Sequence, residues 1–174
     1  MASLKSEIAQ ELPFTSIEEE TLLNVMRTSD CLTRAGQRTI REWGVTATQY
    51  NVLRILRGAQ PQGLTCSAIG ERMITADPDI TRLLTRLKNL KFVRQQRDKH
   101  DRRVVWTHIS QAGLDLLRQM DPEVNRMPKA LLGHMSPAEL AELIRLLERA
   151  RTHCAPSQGS VRCDGQEICD AGAA

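Results

Sequence analysis

Aromatic residues are scarce: two Trp, one Tyr and two Phe in 174 residues. Phe14, Trp43, Tyr50, Phe92 and Trp106 are too few and too scattered to form the stacking platform on which single-strand and RNA modules lay exposed bases. Long apolar runs are missing as well. Nothing approaches the ~18 consecutive apolar residues of a membrane span, and the N-terminal MASLKSEIAQELPF lacks the apolar stretch of a secretory signal. A cytoplasmic protein is therefore expected. The five Cys (Cys31, Cys66, Cys154, Cys163, Cys169) are odd in number and contain no C-x-x-C pair, which argues against a disulfide framework and against structural zinc. No Gly-rich phosphate loop or paired-carboxylate arrangement is present. His153 and Cys154 are adjacent, and adjacent helical positions do not face each other, so no nucleophile–base pair is formed there. No catalytic residue, cofactor or metal is expected.

What is present is helical periodicity with clear start signals. Ser16 with Glu19 fits a capping box ahead of a long helix to about Arg41. Thr46 with Gln49 opens a second helix that places Val52, Leu53 and Leu56 on one face and stops near Gly58. Thr65 caps a short helix through Met73. Asp77-Pro78 reads as a cap followed by a first-turn proline, and Ile80, Leu83, Leu84, Leu87 and Leu90 then recur as one apolar stripe. After Lys91 the period changes. Phe92 to Arg97 and Arg103 to Ile109, separated by Asp98-Lys99-His100-Asp101-Arg102, read as a β-hairpin with a long basic tip. Ser110 caps the next helix, in which Pro122 and Pro128 predict a kink or break. Ser136-Pro137-Ala138-Glu139 starts the last helix, carrying Leu140, Leu143, Ile144 and Leu147. The fold class expected is mainly α with a β-hairpin wing: a winged helix-turn-helix domain with helical extensions at both ends.

The charge is unevenly placed. Between Thr65 and Ser110 there are ten Lys and Arg against five acids, so this segment is net +5 within a chain whose formal net charge is only +3. Such asymmetry is the footprint of a phosphate-binding surface. If the apolar stripe faces the core, the opposite face presents Asp79, Thr81, Arg82, Thr85, Arg86 and Asn89, and Thr, Arg and Asn are residues that contact base edges or phosphates from a major-groove helix. Asp79 either accepts from a cytosine amino group or stabilises the helix N-terminus. At the hairpin tip, Arg102 and Arg103 can reach a minor groove or phosphates, with Asp101 holding an arginine in place; Arg103 held by Asp101 within the fold is the competing reading. A solvated charged face is the alternative for the helix as a whole.

The stretch Arg97 to Gly113 resembles the wing of the MarR family of bacterial regulators, in which an acid and an arginine two positions later precede a strand, a Leu-Thr pair and a Gly. Here these are Asp101 and Arg103, Ile109-Ser110 in place of Leu-Thr, and Gly113. Ile69 to Met73 and Ile80 to Leu87 are similar to the family's helix-turn-helix, and the likeness extends over about Ile17 to Arg151. It implies a homodimer whose terminal helices interlock and whose two winged helices bind double-stranded DNA at a palindromic operator. A repressor is the expectation. It also implies release by a small aromatic acid or by cysteine oxidation.

The organisation expected is a flexible arm (1–15), a dimerisation helix (16–44), the winged helix-turn-helix (45–110), C-terminal dimerisation helices (111–154) and a disordered tail (155–174). Candidate DNA contacts are Thr81, Arg82, Thr85, Arg86, Arg102 and Arg103. Candidate effector-pocket residues are Trp43, Tyr50, Arg54 and Met120, each of which could equally be ordinary core or surface. Cys31 is the redox candidate, with Arg34 one turn away to favour the thiolate; a small interface residue is its alternative. A winged helix used only for protein contacts, and a Cys-dependent enzyme, are the competing functions.

Overall fold

A computed structural model describes residues 3–75, 77 and 79–154; the tail 155–174 with Cys163 and Cys169, and Pro78, lie outside the described residues. The elements are α1 (Leu4–Glu7), α2 (Ile17–Arg41), α3 (Ala47–Gly58), α4 (Cys66–Gly70), α5 (Ile80–Asn89), β1 (Val93–Arg97), β2 (Val105–Ile109), α6 (Gln111–Leu132) and α7 (Pro137–Arg151). This is the mainly helical chain with a two-stranded wing that the periodicity predicts. Most helices start where their side chains satisfy the free N–H groups of the first turn. Thr46 and Gln49 close a full capping box on α3, as Ser136 and Glu139 do on α7. On α2 the Ser16 hydroxyl accepts from the Glu19 N–H, but the Glu19 carboxylate reaches past Ser16 to the N–H and hydroxyl of Thr15.

The stretch before Ser16 contains a helical turn, α1, whose Leu4 is buried. Three expectations are corrected. α4 ends at Gly70 rather than Met73, because Arg72 and Met73 donate to Ile69 and Gly70 in tighter three-residue turns. The cap of α5 is Asp79, whose Oδ1 accepts from the Arg82 N–H at 3.0 Å; Asp77 sits two residues earlier and accepts from the Asp79 N–H at 2.9 Å. Finally, of the kink or break expected at Pro122 and Pro128, the break does not occur: α6 continues through both. Both prolines are exposed; of the residues whose carbonyls they leave without a backbone donor, Arg118 is exposed and Val124 is buried. The Arg126 guanidinium also binds the Pro122 carbonyl, at 2.9 Å.

One hydrophobic core gathers α3, α4, α5, the wing and the first half of α6. Val52, Leu53, Leu56, Ile69, Leu84, Leu87, Leu117 and Met120 are fully buried in it. Helix α5 contributes Ile80, Leu83, Leu84 and Leu87, and burial of each is worth about 1.5–3 kcal/mol. That anchorage leaves its polar face fixed outward. The hairpin pairs antiparallel in the register Val93↔Ile109 to Arg97↔Val105. It is tied to the body by an isolated bridge in which Leu64 and Thr107 exchange backbone bonds of 2.9 and 2.7 Å. Gly113 is required at the start of α6, since a Cβ there would lie 2.5 Å from the Phe92 carbonyl oxygen.

The ends of the chain are different. No residue of α7 is buried, and Ile144 and Leu146 are 57% and 47% exposed. On α2, Ile17, Leu22, Val25 and Met26 are also exposed. Among the described residues, no helix is long and apolar enough to cross a membrane.

Candidate nucleic-acid interface

Helix α5 divides as its sequence spacing predicts. Thr81, Arg82, Thr85, Arg86 and Asn89 are all exposed, on the face opposite the buried stripe. The Thr85 hydroxyl donates to the Thr81 carbonyl at 2.9 Å, which commits its proton and orients the side chain. The turn leading into α5 is pinned to α3, because Asn51 Oδ1 accepts from the Ile74 N–H at 3.1 Å. Asp79, used as the cap, is thereby assigned the helix-end role of the two considered.

At the wing, Arg102 and Arg103 are exposed at the tip. The Arg103 guanidinium lies 3.9 Å from Asp101, with its side chain 96% exposed, a loose contact that leaves the charge available. Asp101 acts mainly on the backbone, accepting from the Arg103 N–H at 2.9 Å. Among the described residues, Arg82, Arg86 and Arg102 make no ion pair. On the helical extensions, by contrast, Arg27, Arg34, Arg118 and Arg145 face Glu7, Asp30, Asp115 and Glu142. Arg82, Arg86 and Arg102 thus present uncompensated charge, whereas four arginines of the extensions are paired.

Two residues that the sequence reading did not single out organise the tip. Asp98 accepts from the N–H groups of His100 (2.8 Å) and Asp101 (3.1 Å) and from the Trp106 indole (2.9 Å). An Asp two or three residues ahead of the N–H groups it caps is a turn signal that was available in the sequence. The cross-strand indole was not. These donors, the His100 N–H foremost and the Trp106 indole next, hold the Asp98 carboxyl down from 3.8 to about 2. A depressed carboxyl stabilises the fold above its unfolded value and loses that contribution as pH falls through the folded one. The Trp106 indole N–H resonance should therefore stay constant from neutral pH down to about 4 and shift with a midpoint near 2. A midpoint at 3.8 would show that these bonds do not hold in solution.

The remaining candidates lie elsewhere. Tyr50 and Met120 belong to the buried core, against which Trp43 packs. The Arg54 guanidinium stands 5.9 Å above the Tyr50 ring. The Trp43 Nε1–H is buried and has no hydrogen-bond partner among the described residues. One turn beyond Arg54, Arg57 pairs with Asp121 of α6 at 2.7 Å. Burial raises the Tyr50 phenol above its ordinary value, with Arg54 opposing the rise. Cys31 is exposed on α2, and Arg34 pairs with Asp30 at 2.9 Å. Cys154 is exposed, its thiol directed to the Ala150 carbonyl.

The MarR family pattern matches residues 43–104, which spans α3 to the wing tip. A MarR transcription factor from Planctomyces limnophilus shares 37% identity and a TM-score of 0.61, covering 79% of this chain and 99% of that one. An uncharacterised HTH-type transcriptional regulator of Bacillus subtilis, YkoM, is 29% identical over 82% of this chain and 94% of its own length. A MarR family transcriptional regulator from Streptomyces coelicolor, solved in complex with DNA, superposes with a TM-score of 0.74 at 16% identity, over 87% of this chain and 97% of that one.

Proposed function

The chain belongs to the MarR family of transcriptional regulators, and from that premise we propose that it is a homodimeric repressor that binds a palindromic operator in double-stranded DNA. The observation that carries the reading is the set of unpaired cations on α5 and the wing tip, held outward by a buried stripe on one side and a hydrogen-bonded turn on the other. Helix α5 is the major-groove element, with Thr81, Arg82, Thr85 and Arg86 facing the bases and phosphates. Arg102 and Arg103 extend from the wing to the flanking minor groove or its phosphates, and Asp101 supports them.

The second copy covers the exposed apolar residues of α2 and α7, so residues 16–44 and 111–154 serve dimerisation while 45–110 bind DNA. Helix α6 has a double task in this division, since Leu117, Met120 and Val124 also close the core of its own chain. A two-fold dimer fits half-sites roughly one helical turn, ~10 bp, apart. Release follows a small-molecule or oxidative signal. The Trp43 indole N–H is the donor an effector's acceptor would satisfy, with Tyr50, Arg54 and Met120 as the further pocket candidates, and the exposed Cys31 is the thiol open to oxidation. The family regulates transcription and is not a family of enzymes, which leaves the Cys-dependent hydrolase without support.

The test is a salt titration of binding to duplex DNA recovered from a random-sequence library. Affinity should fall steeply and log-linearly with salt, and Arg102→Ala or Arg103→Ala should each lower the slope by about one. Purified protein that ignores duplex DNA at low salt would leave the winged helix as a protein-contact module.

A further inference from the structure

The wing tip is held by a small set of bonds, and three of them pass through one carboxylate. Strand β1 ends at Arg97 and β2 begins at Val105. Between them, the Asp98 N–H donates to the Val104 carbonyl (2.9 Å) and the Val104 N–H to the Asp101 carbonyl (3.0 Å). Asp98 Oδ1 gathers the next two N–H groups, of His100 and Asp101, and Oδ2 takes the Trp106 indole. Trp106 pairs with Gln96 across the hairpin. Asp98 lies two residues beyond Gln96, so it shares that face and stands diagonal to the indole, within reach of a long side chain. Trp106 is thus the side chain through which the strand grips the carboxylate that shapes the loop.

We propose that Asp98 and Trp106 form a latch that pre-orders the wing tip for DNA, making Trp106 a positioning residue for Arg102 and Arg103. This rests on the reading of the wing as a DNA-contacting element. Arg102 and Arg103 are long, exposed side chains with at most a loose internal partner. A loop ordered only at the moment of binding gives up affinity to that ordering, and a loop ordered beforehand does not. The indole N–H makes the difference between the two, because it couples the tip to the paired strands.

The test compares duplex affinity at low salt for the wild type, Trp106→Phe, the double variant Arg102→Ala/Arg103→Ala, and the triple variant. Phe retains an aromatic ring in the strand but donates no hydrogen bond. Trp106→Phe should weaken wild-type binding roughly two- to tenfold. In the background lacking both arginines it should have no further effect, since the latch then has nothing to position. Equal losses in the two backgrounds would mean a merely structural role and overturn the proposal, as would no loss in either. Binding without a Trp106 effect overturns the latch alone. Absence of wild-type binding overturns the regulator reading and the latch together.

Discussion

Replacing Arg82 or Arg86 with Ala is expected to cost about 1–3 kcal/mol of operator affinity for each side chain that grips a base edge, roughly five- to 150-fold. Folding should be nearly untouched, because both side chains are exposed and the helix is held by its opposite face. Measuring the same variants on operator and on random duplex separates the two ways an arginine can act. Loss confined to the operator marks a base contact. Equal loss on both, with a salt slope lower by about one, marks a phosphate contact. Unchanged affinity on both duplexes would remove α5 from the interface. Thr81→Ala and Thr85→Ala should be milder, since the Thr85 hydroxyl has already committed its proton to the Thr81 carbonyl.

Ile144→Asp is expected to dissociate the proposed dimer. Within one chain Ile144 is 57% exposed, so the substitution is innocuous to the fold of the subunit. If α7 of a second copy is packed there, each subunit places a carboxylate in an apolar contact at a penalty of several kcal/mol, and two-fold symmetry doubles it. The dimer should weaken by at least about a hundredfold, read by sedimentation as a halved mass at micromolar protein. Operator affinity should drop with it, because one winged helix then engages one half-site without its partner. A wild-type chain that sediments as a monomer at every concentration would overturn the assembly, and the exposed faces of α2 and α7 would need another occupant.

The fold was legible where the deciding interactions are local. Ser16, Thr46, Thr65, Ser110 and Ser136 each cap a helix by accepting from an N–H three residues on, a contact that sequence spacing reveals directly. The apolar stripe of α5 and the change of period at the hairpin are of the same kind. The site was legible in its charge, since net +5 between Thr65 and Ser110 needs only counting. It was less legible in its supports. Asp77 and Asp79 are both competent caps by type, and only the path of the chain selects Asp79. The prolines of α6 are breakers by rule, yet both stand on the exposed side of the helix and the helix continues.

Composition and spacing alone therefore determined a helical chain with a basic winged helix-turn-helix at its centre and amphipathic helices at its ends, because helix caps, amphipathic stripes and net charge depend on residues within a few positions of one another. Tertiary structure decided which carboxylate shapes the wing. Asp101, beside the arginines in sequence, binds the Arg103 N–H but its guanidinium only loosely, whereas Asp98 meets Trp106, eight residues away. That meeting depends on the hairpin register, and the register follows from packing β1 and β2 onto the core. The few aromatics include the one whose N–H completes the tip, a role that comes from where the strand places it.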